Sequence, residues 1–292
     1  MTVKEPSKAI LSELKLLSQE NTTALEVDMF LDAIYKQYGY DFRHYARSSL
    51  LRRIDHCLER EKKRYISELI PCVIHDRFFF DRFLQDMSIT VTSMFRDPHM
   101  FKMLREKIIP KLSTYPSINI WHVGCATGEE VYSTAIILDE AGLLNRSRIY
   151  ATDYNNNSLT VAESATYPIA GIRQFSKNYQ DSGGLSSFAD YYHAGADSVV
   201  FSNKLRNKIT FAHHNLMKDG VFAEMHLILC RNVLIYFDQT LQNQVLTTLA
   251  DSLVHRGFLM LGDKESLDFS SVAQLFDKPF NKQRIYRKKL LT

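Results

Sequence analysis

The chain has four cysteines in 292 residues, Cys57, Cys72, Cys125 and Cys230, with no two in C-x-x-C spacing. That argues against both a disulfide framework and a zinc site. Neither G-x-G-x-x-G nor G-x-x-x-x-G-K-[ST] occurs, so the fingerprints for dinucleotides and for triphosphates are both missing. No uncharged apolar run reaches about eighteen residues, and the opening Met-Thr-Val-Lys-Glu-Pro begins no signal-peptide core. Membrane insertion is therefore not expected, and a cytoplasmic protein is. Net charge is also slight: +3 is too mild to imply nucleic acid. What is present, 45% apolar and 24% charged residues, suits a soluble globular chain with one large domain and one small one.

The most informative stretch runs from Ile118 to Ser133. Ile118 to Val123 is a short apolar-rich run, the mark of a buried strand. Gly124 and Gly128 bracket a tight turn, and from Glu129 onward Val131, Ala135 and Leu138 fall at helical spacing. Strand, glycine turn and helix together make a nucleotide-binding corner, because glycine lets backbone approach a ligand at a helix N-terminus. Glu129 and Glu130 in the first helical turn would repel a pyrophosphate there. An adenosine with a cationic, phosphate-free tail fits better, and S-adenosylmethionine has both. The two acids could equally do no more than satisfy the helix dipole.

Before this corner the pattern is helical. Residues 1–24 are a polar lead-in, with Leu11, Leu14 and Leu17 at helical spacing, and 25–89 read as a bundle of short antiparallel helices. Phe30, Ile34 and Tyr38 share one face, and Gly39 stops that helix. Between Arg43 and Arg64 stand eight basic residues against three acidic ones, which suggests either a solvated face or a surface that steers an acidic partner. A linking segment, Ser88 to Pro98, leads into a helix whose end is expected at Pro110.

After the corner, strands and helices alternate. Arg148 to Asp153 is a second strand closed by an acid, about 25 residues past the turn, placed either to accept ribose hydroxyls or to cap the next helix. Residues 166–210 break the alternation and read as an inserted small antiparallel unit. Ile209 resumes the sheet, Met225 to Cys230 is a fourth strand, a helix follows from Gln239 to His255, and Phe258 to Leu261 is a fifth. Gln283 to Arg287 reads as a final edge strand. His213 and His214 lack a third ligand at sensible spacing, so no metal is expected. Gly124, Asp153, Asn215 and Arg231 all fall at strand carboxyl ends, where a mainly parallel sheet binds its ligands.

Six motifs taken in order resemble the chemotaxis-receptor glutamate methyltransferases of CheR type. They are Tyr38-Gly-Tyr-Asp-Phe with Ser48-Ser-Leu-Leu-Arg-Arg-Ile, Ser93-Met-Phe-Arg-Asp-Pro, Trp121 to Ser133, Ala151-Thr-Asp, Asn215-Leu, and Cys230-Arg-Asn-Val-Leu-Ile-Tyr-Phe. The resemblance covers about residues 25–290. It implies a Rossmann-like class I methyltransferase fold (α/β, doubly wound) over 90–292, with the small antiparallel β insertion, preceded by an all-α N-terminal domain that recognises substrate. It also implies methyl transfer from S-adenosylmethionine, leaving S-adenosylhomocysteine, to glutamates in the cytoplasmic helical domain of methyl-accepting chemoreceptors.

Carried over by position, the cofactor contacts are Thr90, Thr92, Arg96, Glu130, Asp153, Asn215, Leu216, Arg231 and Asn232, beside Gly124 from the turn itself, and the catalytic pair is Arg96 and Tyr236. Arg52, Arg53, Arg60 and Lys63 are the substrate-binding candidates. Thr90 stands where some members have Asn. The loop between Tyr192 and Val199 is short beside members that dock a receptor's C-terminal peptide, which counts against such a tether here. Two other classes stay open: a cofactor-binding docking or sensor module with weak catalysis, and a methyltransferase for small molecules or nucleic acid. Intact Arg96, Glu130, Asp153 and Tyr236 weigh against the first, and the basic helical domain weighs against the second.

Overall fold

The helical part and the sheet-containing part of the chain each bury their own apolar residues. The computed structural model describes residues 8–87, 92–216, 219–221, 223–280 and 283–290, with side chains from Asn21 onward. The chain divides into two units, Met1–Met87 and Ser88–Thr292.

The first unit is helical: α1 (Lys8–Tyr38), α2 (Arg47–Glu61), α3 (Leu69–His75) and α4 (Arg77–Met87). Val27, Phe30, Leu31 and Ile34 recur at i, i+3, i+4 and i+7 and are fully buried, which is why this part of α1 is helical and packed. Gly39, at φ 74°, ends it. Two expectations change here. The bundle is not made only of short members, since α1 runs unbroken for 31 residues from the lead-in onward. Arg53, expected on a charged surface, is only 7% exposed. Leu50, Arg53, Ile54 and Cys57 form the buried stripe of α2, and the Arg53 guanidinium turns back to donate to the Ser49 carbonyl and hydroxyl.

The second unit opens with α5 (Pro98–Met103), a π turn over Leu104–Ile108, and α6 (Ile109–Leu112). The helix therefore does not end at Pro110. The wide turn, closed by the Ile109 N–H on the Leu104 carbonyl, lets the backbone pass a residue that has no N–H to give. Then come β1 (Ile118–Val123), α7 (Glu129–Glu140), β2 (Ser147–Asp153) and α8 (Asn156–Ser164). The insertion comprises β3 (Thr166–Pro168), α9 (Ile172–Asp181), β4 (Tyr192–Ala194), β5 (Ser198–Phe201) and α10 (Asn203–Arg206). Last are β6 (Ile209–His213), β7 (Met225–Cys230), α11 (Gln239–Ser252), β8 (Leu253–Leu261), β9 (Phe276–Asp277) and β10 (Ile285–Lys288).

The main sheet has the order β6-β2-β1-β7-β8-β10-β9. Strands β6, β2, β1, β7 and β8 are parallel, and β10 runs antiparallel to β8 and β9. β1 and β7 lie at the centre and are buried at every position but one, as strands covered on both faces must be. The insertion's sheet, β3-β5-β4, is antiparallel. Two boundaries differ from expectation. α11 stops at Ser252 and β8 starts at once, its register shifting between Met225 and Leu227 on β7. β10 is not the edge strand, because the two residues of β9 flank it.

This order places a topological switch between β1 and β7: the chain moves outward to β2 and β6 on one side, then to β7 and β8 on the other. A crevice forms beyond the strand carboxyl ends at that point. Gly124, Asp153, Asn215 and Arg231 end or follow four consecutive neighbours, β1, β2, β6 and β7.

Candidate active site

The corner after β1 is built by close approach. Gly124 has φ 65°, and a Cβ there would sit 2.6 Å from a Val233 methyl. Gly128, at φ 89°, begins α7, and a Cβ there would meet the Ala162 methyl at 2.8 Å. Between them Ala126 also has a positive φ, 47°. Only a residue without a side chain fits the two glycine positions.

Asp153, at the end of β2, holds this corner. One carboxylate oxygen accepts the Ala126 N–H at 2.8 Å and the other the Asn155 N–H at 2.9 Å. The Tyr154 N–H contributes as well, while burial pushes the carboxyl above its ordinary value. The cap of α8 is Asn155, whose side chain accepts from Asn157 and Ser158. An ionised carboxylate has about four acceptor sites, so Asp153 keeps roughly one for a ligand hydroxyl.

The two glutamates of the first turn of α7 have different surroundings. Glu129 accepts from the Thr127 hydroxyl at 2.7 Å, and burial raises its carboxyl. Glu130 is held by the Arg231 guanidinium at 2.8 Å and meets His122 Nδ1 at 3.1 Å. Burial alone would raise the Glu130 carboxyl, but Arg231 and His122 outweigh it and leave the group below its ordinary value.

Arg231, with its side chain 1% exposed, is the hub. Besides Glu130 it donates to Asp97 Oδ2 at 2.7 Å, and both terminal nitrogens reach the Arg96 carbonyl at 3.3 Å. The planar fork of donors suits such divergent bonding, which an ammonium could not reproduce. The segment around Arg96 is pinned at three further points. The Phe95 N–H donates to the Ser133 hydroxyl of α7 at 2.9 Å, the Asn178 amide to the Met94 carbonyl at 2.8 Å, and the Phe95 ring packs edge-on against Phe101 and Tyr179. Phe95 and Asp97 have positive φ, 52° and 58°. Strained backbone of this kind persists only where the surroundings over-determine it.

On the far side of the switch, Asn232 (φ 60°) leads into a single 3-10 turn, Leu234–Tyr236. Tyr236 is half-buried on this turn. Asn215 is buried, its N–H bound by Asp219 at 2.7 Å, while Leu216 and Thr92 are half-buried. Thr90 lies outside the described residues.

The structure thus joins Arg96, Glu130 and Arg231 directly, and Asp153 to the glycine corner. Arg52, Arg60 and Lys63 belong to the helical unit. Arg60 is engaged by Asp86 and Glu61, whereas Arg52 and Lys63 are exposed and make no ion pair among the described residues. Sequence reasoning missed Ser133, Asn178, His122 and Glu265. Glu265 follows the end of β8 as Asp153 ends β2, so a strand-end acid was the available signal.

Comparison with known proteins places these features. The family described as "CheR methyltransferase, SAM binding domain" matches residues 90–283, and "CheR methyltransferase, all-alpha domain" matches residues 25–88. A Pseudomonas putida protein named "Putative methyltransferase Cher3" is 45% identical over 93% of this chain and 100% of its own. A Listeria innocua "Chemotaxis protein methyltransferase" is 26% identical over 82% of this chain and 88% of its own. A Vibrio cholerae "Chemotaxis protein methyltransferase 1" is 31% identical over 62% and 66%.

S-adenosylmethionine is the cofactor of the matched domain, and the donor set fits it. The corner has a close backbone approach for an adenosine, an acid with an acceptor site left at the end of β2, and carboxylates rather than cations at the start of α7. Asp153 and the 124–128 loop would hold the nucleoside. With both its domains matched and in order, the chain belongs to the CheR methyltransferase family.

Proposed function

We propose that this protein methylates glutamate side-chain carboxylates in the cytoplasmic helical domain of methyl-accepting chemoreceptors, as part of chemosensory adaptation. The observation that carries the reading is the match to both family domains, with the intact Arg96 segment braced onto the cofactor corner.

A glutamate carboxylate is already ionised near neutrality, with a reference pKa of about 4.3, so the protein need not supply a base. When bound, S-adenosylmethionine supplies an electrophilic methyl group on a sulfonium. The chain's own task is to hold the incoming oxygen in line, at a contact of roughly 3 to 3.5 Å, and to keep water out. Arg96 orients the carboxylate through its fork of donors. Tyr236 adds a hydroxyl to the same positioning. Too tight a grip would blunt the nucleophile, so the two orient the carboxylate without fully neutralising it. Arg231 acts one step back. It has its donors on Glu130, Asp97 and the Arg96 carbonyl, and so sets where the Arg96 segment stands.

The same reading assigns substrate recognition to residues 25–89, methyl transfer to 90–292, and the protein to the cytoplasm. Exposed Arg52 and Lys63 on the helical unit offer charges for a glutamate-rich helix. No helix among the described residues is long and apolar enough to cross a membrane.

The decisive assay incubates the protein with methyl-labelled S-adenosylmethionine and receptor-bearing membranes, then treats the product with base. A carboxyl methyl ester releases labelled methanol. Label that survives base, or label that goes to nucleic acid or a small molecule, refutes the assignment.

A further inference from the structure

We infer that Glu265 is a positioning residue for methyl transfer: its buried carboxylate holds the turn that carries Tyr236. The inference rests on the assignment of Tyr236 to the reaction.

Glu265 is 4% exposed and lies just beyond β8, in the turn that begins at Gly262. Its two oxygens collect four backbone N–H groups. Oε1 accepts from Val233 at 2.8 Å and Leu234 at 2.8 Å, while Oε2 accepts from Asn232 at 2.9 Å and Gly262 at 2.6 Å. Three of those donors are consecutive residues at the mouth of the 3-10 turn that ends in Tyr236. A three-residue turn contains too few hydrogen bonds to fix itself. Its amino end is therefore set by an acid some thirty residues away in sequence. Burial pushes the Glu265 carboxyl above its ordinary value, while the four N–H donors, two on each oxygen, favour the ionised form.

Packing beside the turn is incomplete, which leaves a larger share of the holding to this carboxylate. A cavity of about 180 Å³ lies beside the turn, lined by Leu234, Ile235, Gln242 and Glu265 among others. Asn232 is held at φ 60°, a conformation that relaxes if its N–H loses its acceptor. A Cβ on Gly262 would fall 2.8 Å from Glu265 Oε2 and 3.0 Å from the Asn232 nitrogen, so the two turns touch here with no side chain between them. At its other end the turn is fastened by Gln242, whose amide donates to the carbonyls of Leu234 at 3.0 Å and Phe237 at 3.1 Å.

The test is a double-mutant cycle on the full chain with receptor membranes and labelled S-adenosylmethionine. It uses Glu265→Gln, Tyr236→Phe and the double variant. Glu265→Gln puts an NH2 against N–H donors and should lower kcat by between about 10-fold and 100-fold, the scale of an ångström's misplacement. KM for the receptor should move less than about threefold. In the Tyr236→Phe background the same change should cost less than about threefold, because the hydroxyl it positions is already gone.

Equal fold-losses in both backgrounds, or unchanged kcat in the folded variant, overturn the inference. If Glu265→Gln does not fold at assay temperature, Glu265→Asp, which keeps the charge on a shorter arm, carries the same cycle. A second readout needs no activity: amide exchange at Asn232, Val233 and Leu234 should speed up in Glu265→Gln while central β1 stays protected. Unchanged exchange at those three amides sinks the inference. A wild type that forms no base-labile methyl ester instead sinks the proposed function, and the exchange result is still read on its own.

Discussion

Replacing Arg231 with methionine keeps an unbranched apolar stem in the buried site and removes the guanidinium. The loss is four contacts: Glu130 at 2.8 Å, Asp97 at 2.7 Å, and two of 3.3 Å to the Arg96 carbonyl. Removing one partner of a buried ion pair costs about 3 to 5 kcal/mol, chiefly because the other charge stays behind. Two features pull the value toward the lower end. The Asp97 side chain is a third exposed, so water can replace its partner, and Glu130 keeps His122. A destabilisation of about 3 kcal/mol in a unit of this size corresponds to a drop in Tm of roughly 6 to 12 °C.

Thermal denaturation of the full chain, followed at the transition of the larger unit, measures this directly. A companion variant sharpens it. Adding Glu130→Gln to Arg231→Met removes the stranded charge, so the double variant should be more stable than the two single losses predict, by about 1 to 2 kcal/mol. A fall in Tm of less than about 2 °C for Arg231→Met, or strict additivity in the double variant, would refute the view of Arg231 as an electrostatic hub.

Four further expectations follow from the same geometry. Asp153→Ala should weaken S-adenosylhomocysteine binding by about 10-fold to 100-fold, from the loss of charge-assisted bonding at the corner; calorimetry showing unchanged affinity in a folded variant would end that assignment. Glu130 has a folded-state carboxyl below its ordinary value, so its stabilisation is complete above that ordinary value and lost as pH falls through the lower folded one. The stability gap between wild type and Glu130→Gln should therefore be constant near neutrality and close in acid below about pH 4.3; a gap that widens in acid contradicts it. Arg53→Glu, which buries an acid in the helical core, should lower Tm at every salt concentration. By contrast, Arg52→Glu and Lys63→Glu should raise the KM for receptor most at low ionic strength, where the Debye length is near 10 Å. Parallel salt titrations for wild type and the Lys63 variant would rule out electrostatic steering.

Much of this architecture was readable from residues because a few of them have only one use. Gly124 and Gly128 bracket a turn that a Cβ would block, and the apolar run before them suits only a strand covered on both faces. Other features depend on azimuth rather than composition. Counting charges between Arg43 and Arg64 put Arg53 on the surface, whereas its spacing from Leu50, Ile54 and Cys57 puts it on the buried face. The hub role of Arg231 was out of reach, since its partners Asp97 and Glu130 lie more than a hundred residues away. Glu265 is different: its place just past a strand end was a signal, but its partners are backbone amides, which have no sequence signature of their own. The early start of β8 was hidden because Arg256-Gly257 reads as a turn, whereas Arg256 takes φ 64° inside the strand.

The π turn at Leu104–Ile108 bears on how this helix can vary by descent. A π turn holds one residue more than a regular helix would need, and the faces on either side keep their register only because the surplus is absorbed within it. Pro110 in a regular helix would press its ring against the carbonyl four residues earlier, and Glu106 at that position lies inside the wide turn. The extra residue thus makes room for the proline. Deleting one residue between 104 and 108 would therefore set the proline ring against a regular helix and cost about 3 kcal/mol or more. A length difference of one in this helix among relatives is then expected to travel with the identity of the residue at 110, leaving Phe101 and Leu112 in their places in the core.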